Sequence, residues 1–229
     1  MTKSRTISVI LNAAVFIITF FATFCMIAGI QLMNKSEEIQ AFTSSNLAAL
    51  KYFTVDSNVL AGLVALAFVI VQLMIAKGRL TTIPKFFYAL KLAGTAGVTL
   101  TMMVTICFLI PQFGKDWLVL FMNNNLFFHL IVPLICIIDF IFFVPVPENK
   151  PVPLKYSFAG TVPMALYAVF YTTNIITHLG NGLPIKTYDW YNFLGGKLSN
   201  AFIAVPAMII VTWLLSLALW AANNRLHRQ

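Results

Sequence analysis

The sequence predicts an all-α, polytopic membrane protein: one domain over 1–229, six transmembrane helices in one bundle, both termini cytoplasmic. Three observations predict it. Of the 229 residues, 60% are hydrophobic and 10% charged, whereas water-soluble domains carry about 25% charged residues. The apolar residues gather into runs close to the roughly 20 residues a helix needs to cross a hydrocarbon core. The 15 lysines and arginines stand between those runs, with no basic block or stripe.

The runs lie at roughly 7–32, 53–76, 92–111, 122–145, 157–178 and 198–222. The first follows Lys3 and Arg5 as a signal peptide would. It is too long for a signal h-region and lacks a small-residue cleavage site, so it is expected to persist as the first membrane helix. The third contains "ALKLAGTAGVTL", where Ala89, Ala93 and Gly97 recur every four residues. Small residues at that spacing favour close helix packing over lipid exposure. The last three runs are uninterrupted. No segment between runs is long enough for a soluble domain, and no internal repeat is visible.

Six crossings put both termini on one side. That side then carries Lys3, Arg5, Lys77, Arg79, Lys85, Lys91, Lys150, Lys155, Arg225 and Arg228, and the other only Lys35, Lys51, Lys115, Lys186 and Lys197. Glu37, Glu38, Asp116 and Asp189 fall on the sparse side. By the positive-inside rule the basic side is cytoplasmic. Topology therefore accounts for the net charge of +8, and no nucleic-acid partner is expected. Cys25, Cys107 and Cys136 each sit in an apolar run, without CxxC spacing, and read as buried free thiols. With three histidines and no ligand spacing, no metal and no cofactor is expected.

Polar residues collect at the outer leaflet. Thr54, Asp56, Ser57 and Asn58 open the second run. "NNNLFFHLIVPL" opens the fourth and places His129 about one turn inside, among Phe127, Phe128, Leu130 and Ile131. An ionisable side chain in such surroundings is a functional hypothesis by default. His178 closes the fifth run beside Gly180, where a cap on the helix dipole is an adequate account. Asn123, Asn124 and Asn125 can be explained as helix caps. "TYDWYNF" brings Tyr188, Asp189, Trp190, Tyr191 and Asn192 to the last outer loop.

Helix geometry sorts the opening stretch. At 100° per residue, Thr54 and Asn58 lie about 40° apart on one face, and Asp56 points the other way. Asp56 is expected to meet another helix or His178. Asp139 is about 15 Å deeper than His129 along the fourth helix and reads as a structural partner in an ion pair or hydrogen bond.

These residues carry a resemblance. "YFTVDSN" (52–58) is similar to the F-T-x-x-[ST]-N signature of the androgen-induced-gene / androgen-dependent TFPI-regulating protein family. "HLIVPLICIIDFIFF" (129–143) resembles the H-x-x-x-P-x-x-x-x-x-D-[WF] segment of its bacterial branch, matching at His129, Pro133 and Asp139. "YDWYNFLG" (188–195) resembles that branch's Y-P-Y-x-F-L-D stretch, with Asp189 where proline is usual and Gly195 near the usual acid. The resemblance implies six transmembrane helices, a bacterial cell membrane and, from the family's animal members, hydrolysis of fatty acid esters of hydroxy fatty acids. It also implies a threonine nucleophile and a histidine base, falling on Thr54 and His129.

The chemistry is consistent with those residue types. A threonine hydroxyl attacks only when a neighbouring base takes its proton, and a neutral histidine suits that task. The oxyanion that forms needs donors; Asn58 and backbone amides are both candidates, with Ser57 and Asp56 in support. Asp56 or a tyrosine could orient His129. His178, Tyr188 and Asp189 are candidates for the pocket wall. The expected partner is a membrane lipid or fatty-acid ester. The competing expectation is a non-catalytic lipid-binding protein or a proton-coupled small-solute transporter, with Asp56, His129 and Asp139 as the relay.

Overall fold

The computed structural model describes residues 2–30, 32, 46–180 and 184–227. Within them all regular structure is helical: α1 (Lys3–Ile27), α2 (Phe53–Ala76), α3 (Lys85–Val104), α4 (Ile110–Phe113), α5 (Asn124–Leu126), α6 (Val132–Phe142), α7 (Val162–Thr177) and α8 (Ala201–Leu226). Five helical stretches are long and apolar enough to cross a membrane: Lys3–Ile27, Phe53–Ala76, Lys85–Phe121, Asn124–Phe142 and Leu198–Leu226. Their outward faces are apolar, with Ile17, Phe24, Leu63, Phe202 and Ile203 all exposed. Such a continuous apolar surface suits lipid and not water. The expected fifth crossing is a 3₁₀ run, Leu154–Thr161, continuing into α7. It is not among the five, because Tyr167, Tyr171, Thr172, Thr173 and Asn174 dilute its apolar character.

α1 packs antiparallel on α2, and α2 on α3. Gly94 and Gly97 of α3 lie against Ala61 and Ser57 of α2, so close that a Cβ would stand 3.4 and 3.3 Å from them. Of the expected stripe, Gly97 makes a close contact and Ala93 is buried, while Ala89 is only half-buried; Gly94, outside the stripe, makes the second close approach. At Gly160 a methyl group would collide with the Ser216 side chain and Ala96, so only glycine lets this turn meet α8. Ser157 fixes the same junction: its carbonyl accepts from Ser216 Oγ at 2.6 Å, and its hydroxyl from Trp213 Nε1 at 3.2 Å.

One end of the bundle holds a closed polar cluster. Lys91 Nζ stands 2.9 Å from Asp139 Oδ2 and donates to Asn12 Oδ1 at 2.5 Å. Asn12 Nδ2 and Ser8 Oγ donate to the two Asp139 oxygens at 2.8 and 2.7 Å. Lys91 and Asp139 are both buried, so each charge leaves water only because the other replaces it, helped by two neutral donors at Asp139 and one neutral acceptor at Lys91. Asp139 is the structural ion-pair member that its depth predicts. Lys91 corrects the loop assignment: α3 begins at Lys85, earlier than expected, and carries Lys91 inside the bundle. Near the same end Asn223 Nδ2 of α8 donates to the Phe140 and Val144 carbonyls, both at 2.7 Å.

An apolar cluster lies between these charges and the opposite end, with the hydroxyls of Thr19 and Thr95 buried nearby. Val15, Ala61, Ala65, Val98, Val132 and Cys136 pack together, all buried. Cys25 and Cys136 are buried free thiols as expected, but Cys107 is exposed. It lies in a wide π-type turn, Thr105–Leu109, of which only Thr105 is buried. Lys35, Glu37, Glu38 and Arg228 lie outside the described residues.

Candidate functional site

At the end opposite Asp139 a cavity of about 340 Å³ opens among α2, α3, α7, α8 and the 190–193 loop. Thr54 and His129 both line it, and most other walls are apolar: Phe53, Leu100, Val104, Met164 and Met208. A concave, largely apolar pocket with a few convergent polar groups is the usual form of a small-molecule site.

Two interrupted helices shape this cavity. In the turns Thr105–Leu109 and Phe127–Ile131 the backbone bonds run five residues back, from Ile110 N to Thr105 O and from Val132 N to Phe127 O. Each turn is followed by a proline, Pro111 or Pro133. Proline has no N–H to give the carbonyl four residues earlier, so the α-ladder is broken there and a wider turn is tolerated. The second turn carries His129. The first leads through α4 and the 3₁₀ run Gly114–Phe121, which folds back over the histidine.

That return supplies what orients His129. Its Nδ1 lies 2.7 Å from the Leu120 carbonyl. A carbonyl can only accept, so the proton sits on Nδ1 and Nε2 keeps its lone pair. Nε2 has no hydrogen-bond partner among the described residues. His129 is 4% exposed and borders the cavity. The orienting group is thus a backbone carbonyl, and neither Asp56 nor a tyrosine fills that place.

Thr54 lies in the first turn of α2, half-buried, with its side chain on the cavity. Its own carbonyl accepts from Asn58 Nδ2 at 2.7 Å and Ser57 Oγ at 3.2 Å. Asn58 Nδ2 also donates to Phe128 O at 3.3 Å. Asn58 is therefore a clasp between the segment bearing Thr54 and the turn bearing His129. Fully buried and outside the cavity wall, it has its amide protons committed, which leaves backbone amides as the candidate oxyanion donors of the original pair. Ser57 is buried and bonds Thr101 Oγ1 at 3.1 Å, tying α2 to α3.

Asp56 points away, as its helical position requires. It faces a separate recess between α2 and α7 lined by Leu60, Pro163, Leu166 and Phe170. It meets neither His178 nor any other side-chain hydrogen-bond partner among the described residues. His178 caps α7, its Nδ1 2.6 Å from Asn174 O, and stacks on Tyr188 with ring centroids 4.2 Å apart. Asp189 accepts from the Tyr171 hydroxyl and, at 2.9 Å, from the Leu194 amide. None of these three borders the cavity; they hold the loop that does.

That loop contributes residues the sequence reading left out of the site. Trp190, Tyr191, Asn192 and Phe193 all line the cavity. Trp190 Nε1 donates to Tyr167 Oη at 3.0 Å, and Tyr167 donates to the Lys51 carbonyl at 2.7 Å, fastening the loop to the start of α2. The Tyr191 phenol lies against the Thr54 side chain and the Phe53 and Thr54 backbone. Burial pushes its pKa up to about 12, and those Thr54 and Phe53 contacts partly offset the rise. At neutral pH Tyr191 is therefore a protonated donor beside Thr54. Asn125, read as a cap, also borders the cavity.

Comparison with protein-family models, curated proteins and solved structures finds no match to this chain.

Proposed function

We propose that this chain is an intramembrane hydrolase of lipid esters, with Thr54 as nucleophile and His129 as general base and acid. The observation that carries the proposal is the convergence of Thr54 and His129, from separate helical segments, on one apolar cavity, with His129 held in the tautomer whose free nitrogen can take a proton.

In this reading an ester enters with its acyl chain among Leu100, Val104, Met164 and Met208. The Thr54 hydroxyl attacks the carbonyl carbon as its proton passes to His129 Nε2. The tetrahedral oxyanion takes a hydrogen bond from the protonated Tyr191 phenol. Collapse breaks the ester C–O bond, and the alcohol leaves with the proton from His129. Water, deprotonated by His129, then attacks the acyl-threonine and releases the fatty acid. A water-poor cavity strengthens each of these hydrogen bonds. The family resemblance names fatty acid esters of hydroxy fatty acids as the first substrates to try.

The topology belongs to the same proposal. α7 runs antiparallel to α8, from the Ser157–Ser216 contact at one level to Ala168 beside Ala204 and Val205 at another. This supports Leu154–Thr177 as a sixth crossing; the excess of basic residues on the side of the termini favours that side as cytoplasmic and the cavity at the outer leaflet, and the resemblance favours a bacterial cell membrane. The apolar cluster around Val132 weighs against a proton-coupled transporter, which needs a polar route from Asp139 to His129.

Purified protein assayed with p-nitrophenyl and lipid esters tests the proposal. Turnover by the native chain and none by Thr54→Ala is the expected result; equal turnover by both would remove the nucleophile.

A further inference from the structure

A third, much smaller void of about 20 Å³ lies beside the main cavity, between α7 and α8 and against Phe193 and Leu194. Met164, Tyr167, Phe193 and Met208 border both spaces and separate them. Tyr167 is fixed by its hydrogen bonds to Lys51 and Trp190, and Phe193 by stacking on Tyr191 with centroids 4.9 Å apart. Met164 and Met208 are held by packing alone. Unbranched and flexible, methionine fills irregular gaps and re-forms around what it touches. Beyond them the void meets Ala168, Leu194, Ala204 and Val205, with the Tyr171 hydroxyl already given to Asp189. Nothing there calls for a polar ligand.

The main cavity stands at the small end of ligand pockets, which span about 300–1,000 Å³. One hydrocarbon tail fits such a space; a second chain of the same lipid would lie outside it. Thr54 and His129 mark where the carbonyl would sit, and the methionines stand on the apolar side of the same cavity. Small alanines behind the methionine wall mean that its removal lengthens the apolar path.

We infer that the cavity takes a single acyl chain whose length is limited by the wall of Met164 and Met208, with the α7–α8 void as its latent extension. Naming the chain an acyl group of an ester rests on the hydrolase reading; the wall itself does not.

The test compares chain-length profiles of the full-length protein and its variants in two assays. One is hydrolysis of p-nitrophenyl esters from butyrate to palmitate. The other is displacement of bound cis-parinaric acid by saturated fatty acids of the same lengths. Met164→Ala and Met208→Ala should shift both profiles to longer chains, with about tenfold improvement for each methylene newly accommodated. Met208→Trp should shift them to shorter chains, and Met208→Leu should stay near the native profile. If the alanine variants, folded by unchanged elution and thermal midpoint, keep the native binding profile, the inference is overturned. If binding profiles shift while no ester is turned over, the hydrolase reading fails and the methionine wall stands.

Discussion

His129 gives its Nδ1 proton to the Leu120 carbonyl at 2.7 Å. This contact ties the base of the proposed pair to a segment that reaches it only by folding back through a 3₁₀ run. Asn58 adds a second tie, from Phe128 O to Thr54 O. Between them the two contacts fix the base and its distance from α2 without using either reacting atom.

If Thr54 attacks and His129 takes its proton, neither is useful alone. Thr54→Ala and His129→Ala should each lower ester hydrolysis by at least about 10²-fold, and the double variant should be scarcely worse than either single. Steady-state kinetics on the four proteins checks this. Additive losses would mean that the residues act independently.

Tyr191→Phe should lower kcat by about 10²-fold, the usual effect of losing one oxyanion donor, with KM little changed. The ring and its packing on Phe193 remain, so the protein should fold as before. Since the phenol titrates at about 12, the ratio of native to variant kcat should stay constant from about pH 7 to about pH 9.5. A ratio that collapses within that range would remove Tyr191 from the donor role.

The sequence exposed the pair and concealed its surroundings. Thr54 and His129 stand out because polar and ionisable residues are costly in apolar runs. Asp139 was legible as structural because helix rise alone separates it from His129. Leu120 carries no signal, since the functional atom is a backbone carbonyl that every residue type has. Tyr191 was obscured by the preference of all aromatic residues for membrane interfaces. Lys91 was misplaced because a basic residue near a helix end looks like a loop residue until its buried carboxylate partner is known.

The Lys91–Asp139 pair predicts a stability effect without a catalytic one. Asp139→Asn leaves Lys91 buried and unmatched, which costs about 3–5 kcal/mol. Thermal unfolding in detergent should show the loss, and activity per folded molecule should stay near native. Asp139→Leu combined with Lys91→Met should recover much of it. A double variant as unstable as Asp139→Asn would place the cost elsewhere than in the unmatched charge.

Topology can be read in intact cells. In a background with Cys25, Cys107 and Cys136 replaced, cysteine at Lys115 should react with an impermeant maleimide and cysteine at Lys150 should not. Both positions are exposed. Labelling at 150 alone would move the cavity to the cytoplasmic leaflet.

Everything in the proposed reaction depends on Thr54 being a nucleophile activated by His129. Incubating the purified protein with a long-chain fluorophosphonate and mapping the modified peptide tests it most directly. One adduct is expected, on Thr54, lost in His129→Ala and retained in Asp139→Asn. Ester turnover by a protein whose Thr54 stays unmodified while another residue carries the phosphonate would contradict it.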